Sequence, residues 1–362
     1  MLGALSRRAL IIALVACGAP TEGGTLQAAL DHQLSVNAQR HGIAGQAVLI
    51  VHDGKTIYRG SQGLANRETG EPVRPDHIFP VYSVAKLFAN VLVMQLVERG
   101  ELDLDQPASR YLPGLPERWR TIKVAEFLNH VSGVPDYFDG NASLHPFPPT
   151  RDAVFQALAD KPMLFPTGAS ERYTQTNFLV IEAVLEAHYK QPYRQIVTER
   201  ILQPLGMHDT FLGKSHVPPA RLVRSYRGEN DQLAPDVVID WPEYSIVHTE
   251  VYTTIDDFGG FLEAVCAGRL VRRETLLRLW KPYRNATGGF GQFAAGWEYD
   301  RDPSYHHVGH DGGTKVRVRV LFDDSLSHNV YIVVYWTNGS AANVWSRKLV
   351  DSVMDIAPRY ER

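Results

Sequence analysis

A chain of 362 residues is long enough for one large domain or two ordinary ones, with a substantial buried core. Apolar residues make up 44% of it and charged residues 21%, the balance of a folded globular protein, which excludes wholesale disorder. The formal net charge is −3 with acids and bases well mixed; no long basic stretch exists to neutralise phosphates, so nucleic acid is set aside as a partner.

In chain order, the first feature is a leader. Arg7 and Arg8 precede an apolar run from Ala9 to Ala16. That run is too short to span a bilayer but fits the core of a signal peptide. It closes on Leu14-Val15-Ala16-Cys17, which resembles a bacterial lipobox, whose Cys is acylated and becomes the new N-terminus. An ordinary signal peptide cut a little later is the other reading. Ser6-Arg7-Arg8 is partly similar to a twin-arginine signal. The expectation is an exported protein, periplasmic or in the cell envelope, touching the membrane only through lipid on Cys17.

Residues 25–41 read as an amphipathic helix, with Leu26, Ala29, Leu30 and Leu34 on one stripe. Gln46 to His52, the Asp53-Gly54 turn and Lys55 to Gly60 predict a β-hairpin. Between about 100 and 250, Pro and Gly recur in short clusters, with helical stretches at 151–159 and 176–189. Residues 256–267 and 272–280 read as further helices. Cys266 lies in the first of these as a small buried hydrophobe. Cys17 is the other cysteine, so a disulfide framework is excluded and a two-Cys zinc site is improbable.

Val316, Val318 and Val320 alternate with Lys315, Arg317 and Arg319, predicting a strand with one buried and one solvated face. Asn329 to Thr337 reads as a second strand, and 341–356 as a closing helix. The simplest fold is α+β. Both chain ends, about 25–99 and 251–362, join in one antiparallel sheet flanked by helices, and about 100–250 forms a mainly helical lobe. The whole of 25–362 is then one domain, with a cleft between its lobes as the expected site.

The chemistry starts from one misplaced lysine. From Val84 to Val97 the run is apolar almost all round, as a buried helix is. Yet Lys86 sits in its first turn, where burial without a partner depresses an amine's pKa. Ser83 lies three residues earlier, on the same helical face, at a helix N-terminus that favours developing negative charge. A neutral Lys86 could accept the Ser83 proton while the oxygen attacks a carbonyl. The other reading is that Ser83 caps the helix and Lys86 snorkels to water. Ser-x-x-Lys alone leaves both open, although this is its one occurrence in the chain.

Longer stretches decide between them. Tyr82-Ser83-Val84-Ala85-Lys86 resembles the first motif of serine β-lactamases and penicillin-binding proteins. Phe127 to Pro135 (FLNHVSGVP), Tyr173 to Phe178 (YTQTNF), Leu202 to Met207 (LQPLGM) and Gly309 to Thr314 (GHDGGT) are similar, in order, to segments of the class C-like branch of that superfamily. That branch includes family VIII esterases and D-aminopeptidase-like enzymes. The resemblance runs from about residue 30 to 355.

It implies a β-lactamase/transpeptidase-like fold and a serine hydrolase without a cofactor. Ser83 would form an acyl-enzyme, and Lys86 and Tyr173 would share the acid–base work. The N–H groups of Ser83 and Gly313 would make the oxyanion hole. Gln175 stands where the branch has an Asn, and its extra methylene raises the question of where its amide lands. His310-Asp311-Gly312 would line the opposite wall, with an Asp311 anion that would repel a substrate carboxylate. Lys315 or Arg317 could restore positive charge, but the alternation favours a solvated face. A second Tyr-x-Asn, Tyr283-Arg284-Asn285, lacks the flanking match. His306, His307 and His310 lack metal-ligand spacing, no Gly-x-Ser-x-Gly elbow is present, and His130 and Ser132 read as turn and packing residues. The expected substrates are small esters, amides or peptides with D-residues. The alternative is a catalytically weak sensor that keeps the pocket to bind envelope fragments.

Overall fold

The computed structural model describes residues 24–138 and 146–360, so the expected export segment ending at Cys17 lies outside the described residues. Helix α1 (Leu26–His41) starts where the Thr25 hydroxyl accepts from the Ala28 N–H at 3.2 Å. Strands β1 (Gly45–His52) and β2 (Lys55–Asn66) close the expected Asp53-Gly54 hairpin, and β3 (Glu71–Pro72) extends it. A short β4 (Phe79–Pro80) leads into α2 (Lys86–Glu98).

The middle holds helices α3 (Val124–Leu128), α4 (Arg151–Ala159), α5 (Thr176–Tyr189), α6 (Tyr193–Val197) and α7 (Gln203–Leu205). Its short strands are β5 (Phe211–Leu212), β6 (Tyr226–Glu229), β7 (Gln232–Pro235) and β8 (Val251–Thr253). The last third runs α8 (Ile255–Cys266), α9 (Arg273–Leu279), β9 (Phe293–Ala294), β10 (Trp297–Arg301), β11 (His306–Asp311), β12 (Arg317–Phe322), β13 (Tyr331–Thr337) and α10 (Ser346–Met354).

Eight strands form one sheet in the order β3-β2-β1-β13-β12-β11-β10-β9. The N-terminal hairpin therefore meets the C-terminal strands at the β1–β13 seam, paired antiparallel from Gln46↔Thr337 to His52↔Tyr331. One face buries Val48, Ile50, Val333 and Tyr335 against Leu30 and Leu34 of α1 and Leu349 and Val353 of α10. The other carries Leu49, Val51, Val318, Val320 and Val334 into the main core with α2 and α8. There α8 comes so close that a Cβ on Gly259 would lie 2.3 Å from Leu49 Cδ2, which is why that helix carries a glycine despite its cost in propensity.

Two expectations are corrected. The closing helix begins at Ser346 and not at 341, because the N–H groups of Ala341 and Ala342 donate to Gly42 O and His41 O at the end of α1. The strand 317–322 has no solvated face: all six residues are buried, Arg317 at 1% and Arg319 at 5% exposure. Strand pairing sets both arginines beside Tyr335 and Val333, on the face that α10 covers. Cys266 is buried as expected, and burial pushes its thiol up to about 12. Among the described residues no helix is long and apolar enough to cross a membrane.

Candidate active site

The segment before Ser83 is held from both sides. Val81 donates its N–H to Val251 O at 2.9 Å, tying it to β8. Tyr82 then takes a left-handed conformation, φ 47°, uncommon for a residue with a side chain and costly without support. The support is packing. The Tyr82 ring lies against the Gly312-Gly313 turn, where a Cβ on Gly313 would sit 2.9 Å from the ring. Its hydroxyl donates to Ser225 Oγ at 3.2 Å and approaches Asp236 Oδ2 at 3.4 Å. Ser83 follows, partly exposed, in a tight turn (Tyr82–Ala85) that feeds α2. Gly313, far along the chain, thus packs on the residue that precedes Ser83.

Lys86 does not snorkel: it is 0% exposed. Its Nζ donates to Gln175 Oε1 at 2.8 Å and to His248 O at 3.3 Å, and lies 4.9 Å from the Tyr173 ring centroid and 5.2 Å from that of Phe178. Burial drives its pKa well below the ordinary lysine value, against smaller opposing pulls from Asp136 and Asp311. The extra methylene of Gln175 does not carry its amide away, since the oxygen reaches the amine.

The Gln175 backbone is fixed by Asp136, whose Oδ1 accepts from the N–H groups of Gln175 at 2.9 Å and Thr176 at 3.1 Å and from the Thr176 hydroxyl at 3.1 Å. A carboxylate so placed caps α5 and complements its dipole. Asp136 follows the last motif residue singled out, and its signal was a capping acid whose helix lies some forty residues on. His248 was also missed; Tyr137 Oη lies 2.6 Å from its Nε2.

Tyr173 stands beside the lysine with its phenol oxygen buried. Burial raises its pKa well above the usual phenol value, opposed by the nearby Ser83 hydroxyl. Its Oη has no hydrogen bond of ordinary geometry, so Ser83 and Tyr173 are neighbours and not a formed pair.

The opposite wall is β11. His310 is 1% exposed, with ring centroids 5.8 Å from Tyr173 and 6.1 Å from Phe293. Its Nδ1 donates to Asp311 O at 2.6 Å, and burial lowers its pKa to about 4, so it is neutral at pH 7. Asp311 corrects the expectation of an anion facing substrate. It pairs across the ladder with Arg317, on the α10 face. Its Oδ2 accepts from Arg317 Nη2 at 3.1 Å and Ser346 Oγ at 3.2 Å. Glu298, also missed, accepts from Arg317 Nη1 at 3.1 Å and from Arg319 Nη2.

Glu298, His310 and Asp311 offer ligand atoms within 4.8 Å of one another. The two guanidiniums already neutralise both carboxylates, so the group reads as an ion-pair cluster. Of the other histidines, Nε2 of His307 lies 2.7 Å from Asp302, and His306 meets Tyr299. Tyr283-Arg284-Asn285 lies on a separate loop, where Asn285 bonds Gly289 and Thr287.

The chain is similar to known proteins in sequence and in fold. The sequence model of the beta-lactamase family matches residues 24–348. Esterase EstB of Burkholderia gladioli is 28% identical over 292 residues, covering 70% of this chain and 74% of that one. Penicillin-binding protein 4 of Amycolatopsis lactamdurans is 26% identical over 327 residues, covering 83% and 82%. Among solved structures, the D-amino acid amidase of Ochrobactrum anthropi SV3 superposes with a TM-score of 0.75 at 22% identity, over 92% of this chain and 99% of that one, a likeness of fold. The family model spans most of the chain, and the chain belongs to the beta-lactamase family, as one of its serine hydrolases.

Proposed function

We propose that Ser83 is the nucleophile, Lys86 its general base and Tyr173 the general acid. The observation that carries this is the full burial of Lys86 against Gln175. Burial favours the uncharged form of each group, an amine that can accept a proton and a phenol that can give one. As Ser83 Oγ attacks a carbonyl carbon, its proton passes to Lys86 Nζ. Tyr173 gives its proton to the leaving oxygen or nitrogen, and the Lys86 ammonium then restores the phenol. Water repeats the cycle on the acyl-enzyme. The N–H groups of Ser83 and Gly313 would hold the oxyanion, and Gln175 would keep the amine aimed.

The substrate class we infer is an ester or amide without a carboxylate beside the scissile bond, peptides with D-residues included. His310 is neutral, and Arg317 and Arg319 are turned to the far face of the sheet. A cavity of about 440 Å³ beside Tyr82, lined by Ile239, Trp241 and Tyr252 together with Lys214, Arg224 and Asp236, would take an acyl group with apolar and polar parts. Export with lipid on Cys17 is proposed on the leader's residues; the intact mass of the mature N-terminus tests it.

The test of the chemistry is intact mass spectrometry of the chain starting after Cys17, wild type and Ser83→Ala, with a fluorophosphonate, a penicillin and a p-nitrophenyl ester. The expected result is an adduct or turnover with the wild type alone, and with the ester in preference to the penicillin. No adduct with any reagent, in a folded sample, would overturn the assignment.

A further inference from the structure

His130 lies in the FLNHVSGVP segment, and turn and packing do not exhaust its bonds. It is 0% exposed and holds φ 57°, left-handed for a residue with a side chain. Strain of that kind persists only where the surroundings fix it. Here the contacts converge on the tripeptide Arg172-Tyr173-Thr174. The Arg172 N–H donates to His130 O at 2.9 Å. The Thr174 N–H donates to His130 Nδ1 at 3.2 Å. The Tyr173 ring lies on the imidazole itself, centroids 4.4 Å apart. The 171–172 and 173–174 peptide groups, and the phenol ring between them, are thus held by one side chain and its own carbonyl.

The imidazole is oriented in turn. Asn177 Nδ2 donates to the same Nδ1 at 2.9 Å, and Asn177 Oδ1 accepts from Ser132 Oγ at 2.6 Å. An Nδ1 that accepts twice carries no proton, so the ring is the Nε2–H tautomer. Burial, with Lys86 close by, disfavours the imidazolium that would break both bonds. Phe178 and Phe293 close the remaining sides, at 5.6 and 4.7 Å between centroids.

We propose that His130 is a positioning residue for the reaction: through Nδ1, its carbonyl and its ring it clamps residues 172–174 so that the Tyr173 phenol meets the leaving group beside Ser83. It touches neither substrate nor the reacting atoms. The proposal rests on the assignment of Tyr173 as general acid. A displacement of the phenol by about 1 Å is enough to cost on the order of 100-fold in rate.

The experiment is a double-mutant cycle on ethyl butyrate hydrolysis, whose alkoxide must be protonated to leave, with Tyr173→Phe and His130→Phe, which keeps a ring but removes the acceptor. His130→Phe alone should lower kcat about 20- to 100-fold with KM within about 3-fold. In the Tyr173→Phe background the same change should cost less than about 3-fold, because the group it positions is already gone. Multiplicative losses would make His130 a general structural residue and overturn the proposal. Full activity of Tyr173→Phe would instead sink the Tyr173 assignment and the clamp with it, so the two failures are distinguishable.

A second arm covers a His130→Phe chain that does not fold. His130→Asn puts an acceptor at the place of Nδ1 and tolerates positive φ; His130→Gln does neither. Asn should retain kcat within about 5-fold and Gln should not. Equal losses would overturn the proposal.

Discussion

Replacing Glu298 by Gln tests the cluster behind β11 and β12. The carboxylate is 19% exposed and bonds two guanidiniums, Arg317 at 3.1 Å and Arg319 more closely, whose side chains are 1% and 7% exposed. The amide keeps the shape and one acceptor oxygen but removes the charge. Arg317 retains Asp311 at 3.1 Å and Ser346 Oγ at 2.8 Å, whereas among the described residues Arg319 keeps only the Val318 carbonyl at 3.0 Å. One buried cation is therefore left without its anion. Removing one partner of a buried pair costs about 3–5 kcal/mol, and the neighbours Arg317 retains place the expected loss just below that range, about 2–3 kcal/mol. For a chain this long that is a fall in Tm of about 3–4 °C. Urea unfolding of wild type and Glu298→Gln measures it. The internal control is Asp256→Asn at the Arg59 pair, where both side chains are 40% exposed or more and the loss should stay below about 1 kcal/mol. A Glu298→Gln loss equal to that control would mean that the arginines are hydrated, and would restore the solvated strand face that their alternation suggests.

Two further outcomes follow from the site. Lys86 has a folded pKa below its unfolded one, so between those two values the unfolded chain binds more protons and stability rises with pH. Lys86→Met should abolish activity, and its stability advantage over wild type should shrink with rising pH, by up to about 1.4 kcal/mol per unit, until it levels off near the unfolded lysine value; a difference constant across pH would show a charged, hydrated lysine. Gln175→Asn draws the amide back from the 2.8 Å bond to Lys86 and should lower kcat about 10-fold with little change in KM; an unchanged or raised kcat would show that the amide oxygen does not aim the amine.

Much of the molecule is legible in the residues taken alone. The hairpin around Asp53-Gly54, helices 151–159 and 176–189, and a buried helix with Lys86 in its first turn all follow from local pattern, because turn chemistry and hydrophobic periodicity act over a few residues. Ser83, Lys86 and Tyr173 stand out by motif, and the resemblance of ordered segments carries the family. What the sequence leaves open is the fate of charge. Arg317 and Arg319 alternate with valines as they would on a wet strand, and only the pairing of β10, β11 and β12 brings Glu298 and Asp311 to meet them and α10 to cover them. Asp311 faces away from the cleft for the same reason: successive residues of a strand point to opposite sides, and the sheet decides which side is the site. Asp136 and His248 reach Gln175 and Lys86 from distant segments. A buried charge is stable only with its partner, and a partner far along the chain is a property of the tertiary structure.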